Sequence, residues 1–341
     1  MTDTTLRITS PADLLAAVPR LLGFHPEDSL VLLTLGGPGR PMHARADLPT
    51  DLDGFTALVE SLRVAVRRNG VRRVVLVAYT DDRCLALEAV GRVGDVLGAA
   101  GVTVEEAIRA DGRRWWSLTG CEGPCCPVEG VPYDVTTHPM TAQGVLEGEV
   151  TLRNRQAVAD SLVGTDLDAF ERVRKEAAKA HLRMERTGIH PFGPAAAPDR
   201  LRRHLRAEGL WVRDRLRTFL ADRRLLPAED VGRLLVAMVA IDVRDVAWSQ
   251  MCIANAGAHV DLWRDVVRRA PGELLGAPAA LLAFAAWLHG DGALAWCALD
   301  RCREAEPDYS LADLLTQALA TATPPSTWQP VASEGLPLFA S

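Results

Sequence analysis

The sequence predicts an α/β domain followed by an all-α domain, and three observations carry that expectation. Before about residue 150, short β-rich apolar runs alternate with stretches of helical periodicity. From Asn154 almost to the end only the helical period persists. Between them lies a loop-rich bridge, residues 119–149, containing Cys121, Cys125 and Cys126. The expected layout is a three-layer α/β domain with a mixed sheet over 1–150, an all-helical domain over 151–322 and a flexible Pro/Ser/Thr-rich tail over 323–341.

The elements follow in the order α-β-β-α-β-α-β-β. Ser10-Pro11-Ala12-Asp13 opens the first helix with a Ser cap and Pro at the first helical position, and Gly23 ends it. Residues 30–35 form an apolar run that reads as a buried strand, so it needs strands on both sides. Gly36 to Gly39 turn the chain, and Met42 to Leu48 read as an antiparallel partner. Thr50 or Asp53 caps a helix whose apolar face holds Phe55, Leu58, Val59, Leu62 and Val66. Val74 to Tyr79 is a second buried strand, and Thr80-Asp81-Asp82 starts a helix carrying Leu87, Val90, Val93 and Leu97 inward. Gly91, Gly94 and Gly98 would let that helix approach the sheet closely. Val102, Val104 and Ile108 share one strand face, and Asp111-Gly112 signals a hairpin into Arg114 to Leu118. No strand ends in Gly-x-Gly-x-x-Gly, so a dinucleotide fingerprint is absent.

Composition narrows the class. No apolar run reaches the ~18 residues a bilayer span needs. The polar start, Met1 to Ser10, lacks a basic stretch followed by a hydrophobic region, so no secretory signal is expected. Seven scattered cysteines point to reduced thiols and a cytoplasmic location rather than a disulfide framework. The net charge is −6, yet residues 171–224 carry 15 basic and 7 acidic side chains. That basic segment is the one candidate surface for nucleic acid, and the acidic whole argues against it. Its interleaved Glu208, Asp214 and Asp222 fit a solvated helix face.

Two clusters could bear chemistry. If the strands at 42–48, 71–79 and 102–110 run parallel, their carboxyl ends bring Asp47, Asp81, Asp82 and Asp111 to one edge. The strand at 30–35 runs the other way and delivers His25, Glu27 and Asp28 there, with Arg113 just beyond the hairpin turn. Ligands of open α/β sheets bind outside such an edge. An imidazole with carboxylates could hold Mg²⁺ or Mn²⁺, or act as an acid/base pair. The same aspartates also serve ordinary helix caps and turns. Cys121, Cys125 and Cys126 with His138 could make a zinc site, although adjacent Cys125-Cys126 fits one metal poorly and a buried thiol is the plainer use.

Residues 279–309 resemble one tetratricopeptide helix pair, with Leu282, Gly290, Ala295, Leu299 and Pro307 at its small and apolar positions. Ala279, Ala283 and Ala286 depart from that motif. More broadly, Leu22-Gly23-Phe24-His25-Pro26-Glu27-Asp28-Ser29, Cys125-Cys126-Pro127, Ala285-Ala286-Trp287 with Gly290-Asp291-Gly292, and Pro307-Asp308-Tyr309-Ser310 resemble an actinobacterial family, domain of unknown function family 4192. The resemblance implies a bacterial protein of this two-part layout and assigns no reaction to any residue.

Three functions follow as expectations. The first is a non-enzymatic interaction or regulatory module that docks a protein partner. The second is a hydrolase or small-ligand-binding protein using the carboxylate-rich crevice. The third is a zinc or thiol sensor at Cys121, Cys125 and Cys126.

Overall fold

The computed structural model describes residues 8–36, 41–120, 127–186 and 198–339. Among them, thirteen α-helices and a six-stranded mixed sheet form two compact units. One unit comprises Met1–Ala157 with Ala320–Pro324, the other Val158–Leu319 with Pro325–Ser341.

In the first unit, α1 (Pro11–Leu22) starts on the Ser10 hydroxyl, which accepts from the Asp13 N–H, and ends at Gly23 with φ +77°. A Cβ is disfavoured in that left-handed conformation, so glycine suits the stop. The sheet runs β2-β1-β3-β4-β5-β6. It contains β1 (Ser29–Thr34), β2 (His43–Asp47), β3 (Arg73–Tyr79), β4 (Thr103–Ala110), β5 (Arg114–Ser117) and β6 (Val131–Pro132). β1 is buried along its whole length and lies between β2 and β3, antiparallel to both. β3 and β4 are parallel, so β2, β3 and β4 share one direction.

Three layers result. Leu14, Leu15 and Val18 of α1 cover Val31, Leu33, Val75 and Val77 on one face. On the other, α2 (Leu52–Arg68) and α3 (Arg83–Ala99) cover Leu30, Leu32, Val74 and Leu76. The cap of α2 is Asp51, whose carboxylate accepts from the Gly54 N–H at 2.7 Å, rather than Thr50 or Asp53. In α3 the buried stripe is Ala86, Ala89, Val93 and Leu97, while Leu87 is exposed. Gly91, Gly94 and Gly98 face open space, so they do not serve a close helix–sheet approach.

The expected shared face of Val102, Val104 and Ile108 is also corrected. Val74 pairs with Val104 but Val75 pairs with Glu106, so Glu105 is an extra residue in β4. One extra residue reverses the alternation of faces. Val102, Val104 and Ala107 therefore lie on the α2/α3 side, while Ile108 and Ala110 lie on the α1 side.

The first unit also holds α4 (Pro139–Leu146), and α5 (Arg155–Asp160) spans the boundary between the units. The second contains α6 (Leu167–Arg186), α7 (Pro198–Asp222), α8 (Ala228–Ala237), α9 (Ile241–Ser249), α10 (Ala256–Arg269), α11 (Gly276–His289), α12 (Gly292–Ala305) and most of α13 (Ser310–Ala320). The apolar run Ala279 to Leu288 is buried on all sides because α11 packs against both α10 and α12. Gly232 of α8 admits the α6 backbone, and an added Cβ would fall 2.6 Å from the Ala177 nitrogen.

The described part of the expected tail is not free-standing. Ser333, Leu336 and Leu338 are buried, and Trp328 donates its indole N–H to the Met251 carbonyl at 3.1 Å. Its widely spaced apolar residues give no helical period, so the sequence signal resembled a loop. Upstream, Arg68 donates to Thr321 and Thr323, and Asn69 donates to the Ala322 carbonyl.

Candidate functional site

Register places the candidate residues. Asp47 lies opposite Ser29, Ser29 opposite Tyr79, and Tyr79 opposite Ala110. The carboxyl ends of β2, β3 and β4 and the start of β1 thus form one sheet edge. Asp28 immediately precedes that row, Asp81 and Asp82 follow Tyr79 and Thr80, and Asp111 follows Ala110.

Most of these carboxylates already have structural work. Asp82 caps α3, accepting from the N–H groups of Cys84 and Leu85 at 2.7 and 3.0 Å. Asp111 accepts from Arg113 and Arg114 N–H groups at 2.8 and 2.6 Å, closing the hairpin turn. Exposed Asp47 pairs with Arg45 at 2.7 Å, and Arg45 also donates to the Glu27 carbonyl. The Glu27 carboxylate accepts from Asn154 at 3.5 Å. Asp28 adopts φ +41°, a left-handed conformation that Asp tolerates better than bulkier residues. His25 is half-buried; burial lowers its pKa and neighbouring Glu27 opposes that. Asp81 and Arg113 are exposed beside the turn residues. Among the described residues, no three His, Cys, Asp or Glu side chains come together as a metal-holding group.

The unforeseen member of the edge is Arg109. Its residue is only 7% exposed, and its guanidinium lies 3.6 Å from the centre of the Trp116 ring. Nη1 donates to the carbonyls of Thr80 and Asp81 at 3.3 and 2.9 Å, while buried Nε has no hydrogen-bond partner. Burial pulls its pKa down, and Asp111, Asp81 and Asp82 oppose that pull. A buried cation is tolerated only when dipoles, rings or charges compensate its lost hydration. Here two carbonyls, an indole face and three nearby carboxylates supply the compensation.

Trp116 is held in turn by its indole N–H, which donates to the Val128 carbonyl at 3.0 Å. Gly130, at φ +78°, lies against the indole where a Cβ would overlap it. The Asp111-Gly112 signal located the hairpin, but a two-residue turn there would pair residue 109 with 114, whereas it pairs with 116. The side of the sheet it occupies depends on the bulge at Glu105, which left no clue.

Cys121, Cys125 and Cys126 lie outside the described residues. His138 does not present itself as a zinc ligand. Its Nδ1 accepts from the Met140 N–H at 3.2 Å as the cap of α4, and its Nε2 is 3.2 Å from Asp13. Part of the basic segment is paired within its own unit: Arg174 with Glu171, Lys179 with Glu176, Arg215 with Asp230 and Arg223 with Asp261. A shallow groove of about 350 Å³ between α2 and α3, lined in part by Phe55, Val59, Arg92 and Asp95, includes none of the edge residues.

The fold and edge define an α/β unit with a capped, arginine-centred sheet edge, joined in sequence to a helical unit. The chain belongs to the family described as Domain of unknown function (DUF4192), whose model matches residues 11–326. No curated protein and no solved structure matches the chain.

Proposed function

We propose that the chain is a non-enzymatic interaction or regulatory module of the cytoplasm, and that its helical unit docks a protein partner. The observation that carries this reading is the use made of the edge carboxylates. Asp82 and Asp111 are committed to backbone N–H groups, and Asp47 to a guanidinium. A general acid or base must instead reach substrate in the right protonation state. What supports a docking role is the α11–α12 pair, two closely packed helices joined by Gly290 at φ +89° and by Asp291, which caps α12; we read it as a tetratricopeptide-like pair. One such pair lacks the concave surface that about three repeats provide, so neighbouring helices would share the contact.

A second reading, a hydrolase or small-ligand-binding protein holding Mg²⁺ or Mn²⁺ at the crevice, draws on the single edge shared by Asp28, Asp47, Asp81 and Asp111. Titrating purified protein with each cation while following its melting temperature separates the two. An interaction module shows no shift. A rise in wild type that disappears in Asp28→Asn with Asp81→Asn would establish the crevice instead. In-cell photocrosslinking from the helical unit tests docking directly: a reproducible protein adduct is expected, and none at any of several probe positions would end the interaction reading.

A further inference from the structure

Residues 325–339 lie on the second unit in a form unlike its other elements. They contain two single 3-10 turns, Pro325–Thr327 and Ser333–Gly335, and no longer helix or strand. Their contacts are made by spaced anchors. Trp328 stands edge-on to Trp248 of α9 and Phe284 of α11, with ring centres 4.6 and 5.1 Å away. Ser333 accepts from the Gln250 amide at 2.6 Å and meets Ser249 at 3.3 Å. Glu334 reaches Arg213 of α7 at 3.5 Å. Leu338 comes down on Gly209 of α7, where an added Cβ would fall 2.7 Å from its methyl carbon. Between these anchors, Gln329, Pro330, Ala332, Gly335 and Pro337 are exposed.

Spaced side-chain anchors on an otherwise exposed, irregular backbone are how extended peptides sit in preformed grooves. The wall aromatics also touch one another: Trp248 meets Phe284 at 5.7 Å, and Phe284 meets Trp287 at 5.7 Å. Gly209 removes the one side chain that would fill the Leu338 seat. Pro330 and Pro337 restrict the backbone and withhold N–H donors, suiting an occupant that joins no ladder.

We propose that the groove formed by α7, α9 and α11 is a docking site for linear segments, with residues 325–339 as its resident occupant. The partner it takes is an extended peptide of the same chemistry: an indole anchor, a Ser-Glu pair beginning five residues later, and a Leu-x-Leu pair behind it. This deepens the interaction reading and rests on it. Occupancy in cis is strong because a tethered segment has an effective concentration on the order of millimolar, so weakening its anchors opens the groove.

The test uses a fluorescein-labelled synthetic peptide spanning residues 325–339, titrated by anisotropy against the full chain. The double variant Trp328→Ala with Leu338→Ala should bind it at least tenfold more tightly than wild type does. Replacing the tryptophan in the probe should abolish that binding. A double variant that melts cooperatively yet binds the peptide no better than wild type overturns the proposal. Hydrogen exchange on the wild-type chain needs no variant: amides of 331–339 should exchange at least tenfold faster than those of α9 and α11. Exchange of the segment only together with those helices overturns it. A crosslinked partner retained undiminished by the double variant would remove the groove as its site and leave the interaction reading standing.

Discussion

The guanidinium of Arg109 lies 3.6 Å from the centre of the Trp116 ring, across the β4–β5 hairpin. The pair closes the corner where β3 hands over to α3, because Arg109 also holds the Thr80 and Asp81 carbonyls. Removing the cation leaves two carbonyls without their donor and three carboxylates without a nearby positive charge. Arg109→Met should therefore lower stability by about 2–4 kcal/mol, measured by urea unfolding. A double-mutant cycle with Trp116→Leu should return a coupling of about 0.5–2 kcal/mol. Zero coupling would mean that the stacking contributes nothing.

Two classes of glycine should respond in opposite ways to alanine. At Gly232, the new methyl would fall 2.6 Å from the Ala177 nitrogen and 2.7 Å from the Glu176 carbonyl carbon, which α6 cannot move cheaply. Gly232→Ala should cost about 2 kcal/mol or more. Gly91 and Gly94 in α3 meet open space, so alanine there should stabilise by up to ~1 kcal/mol each. Thermal melting of the three variants checks both signs.

The bulge at Glu105 yields a deletion test. Glu105→Ala removes only an exposed 2.9 Å pair with Arg73 and should change stability by about 1 kcal/mol or less. Deleting the residue restores strict alternation and leaves Ile108 and Arg109 on the faces they already occupy, because Glu106 to Ala110 keep their partners Val75 to Tyr79. Both variants should keep cooperative urea unfolding of the α/β unit, and its loss on deletion alone would show that the unit needs the bulge itself.

Acid should weaken the protein through two buried imidazoles. Burial pushes the imidazoles of His43 and His259 down to about 4 from 6.5. At His259, Arg223 adds to the lowering and the Gln250 backbone opposes it. A base with a lowered folded pKa binds its proton more readily when unfolded. Stability is therefore whole above about pH 6.5 and declines as pH falls towards 4, by roughly 3 kcal/mol per residue at most. Urea midpoints across that window should fall in wild type and fall less steeply in His259→Gln, where His43 still contributes. An unchanged slope in the variant would assign the acid sensitivity elsewhere.

Local chemistry was legible where it acts over a few residues. Ser10-Pro11 and Gly23 bound a helix because capping and positive φ need only neighbouring atoms. The apolar runs of β1 and β3 announced buried strands, and the change to helical period after Asn154 announced the mixed α/β and helical character of the chain. The Pro/Ser/Thr-rich end and the inward placing of Leu87 misled, because a sparse apolar pattern does not say what stands opposite it.

What only tertiary structure decided is the facing of residues distant in sequence. A single extra residue at Glu105 set which side of the sheet carries Arg109, and no local propensity marks that slip. Whether Asp82 and Asp111 were ligands or caps depended on hydrogen atoms two and three residues away being aimed at them. Trp328 and Leu338 became anchors only when α7, α9 and α11 had built the walls that receive them. Sequence sets the local conformations; burial and alternation, which are satisfied by the whole fold at once, choose among the uses those residues can serve.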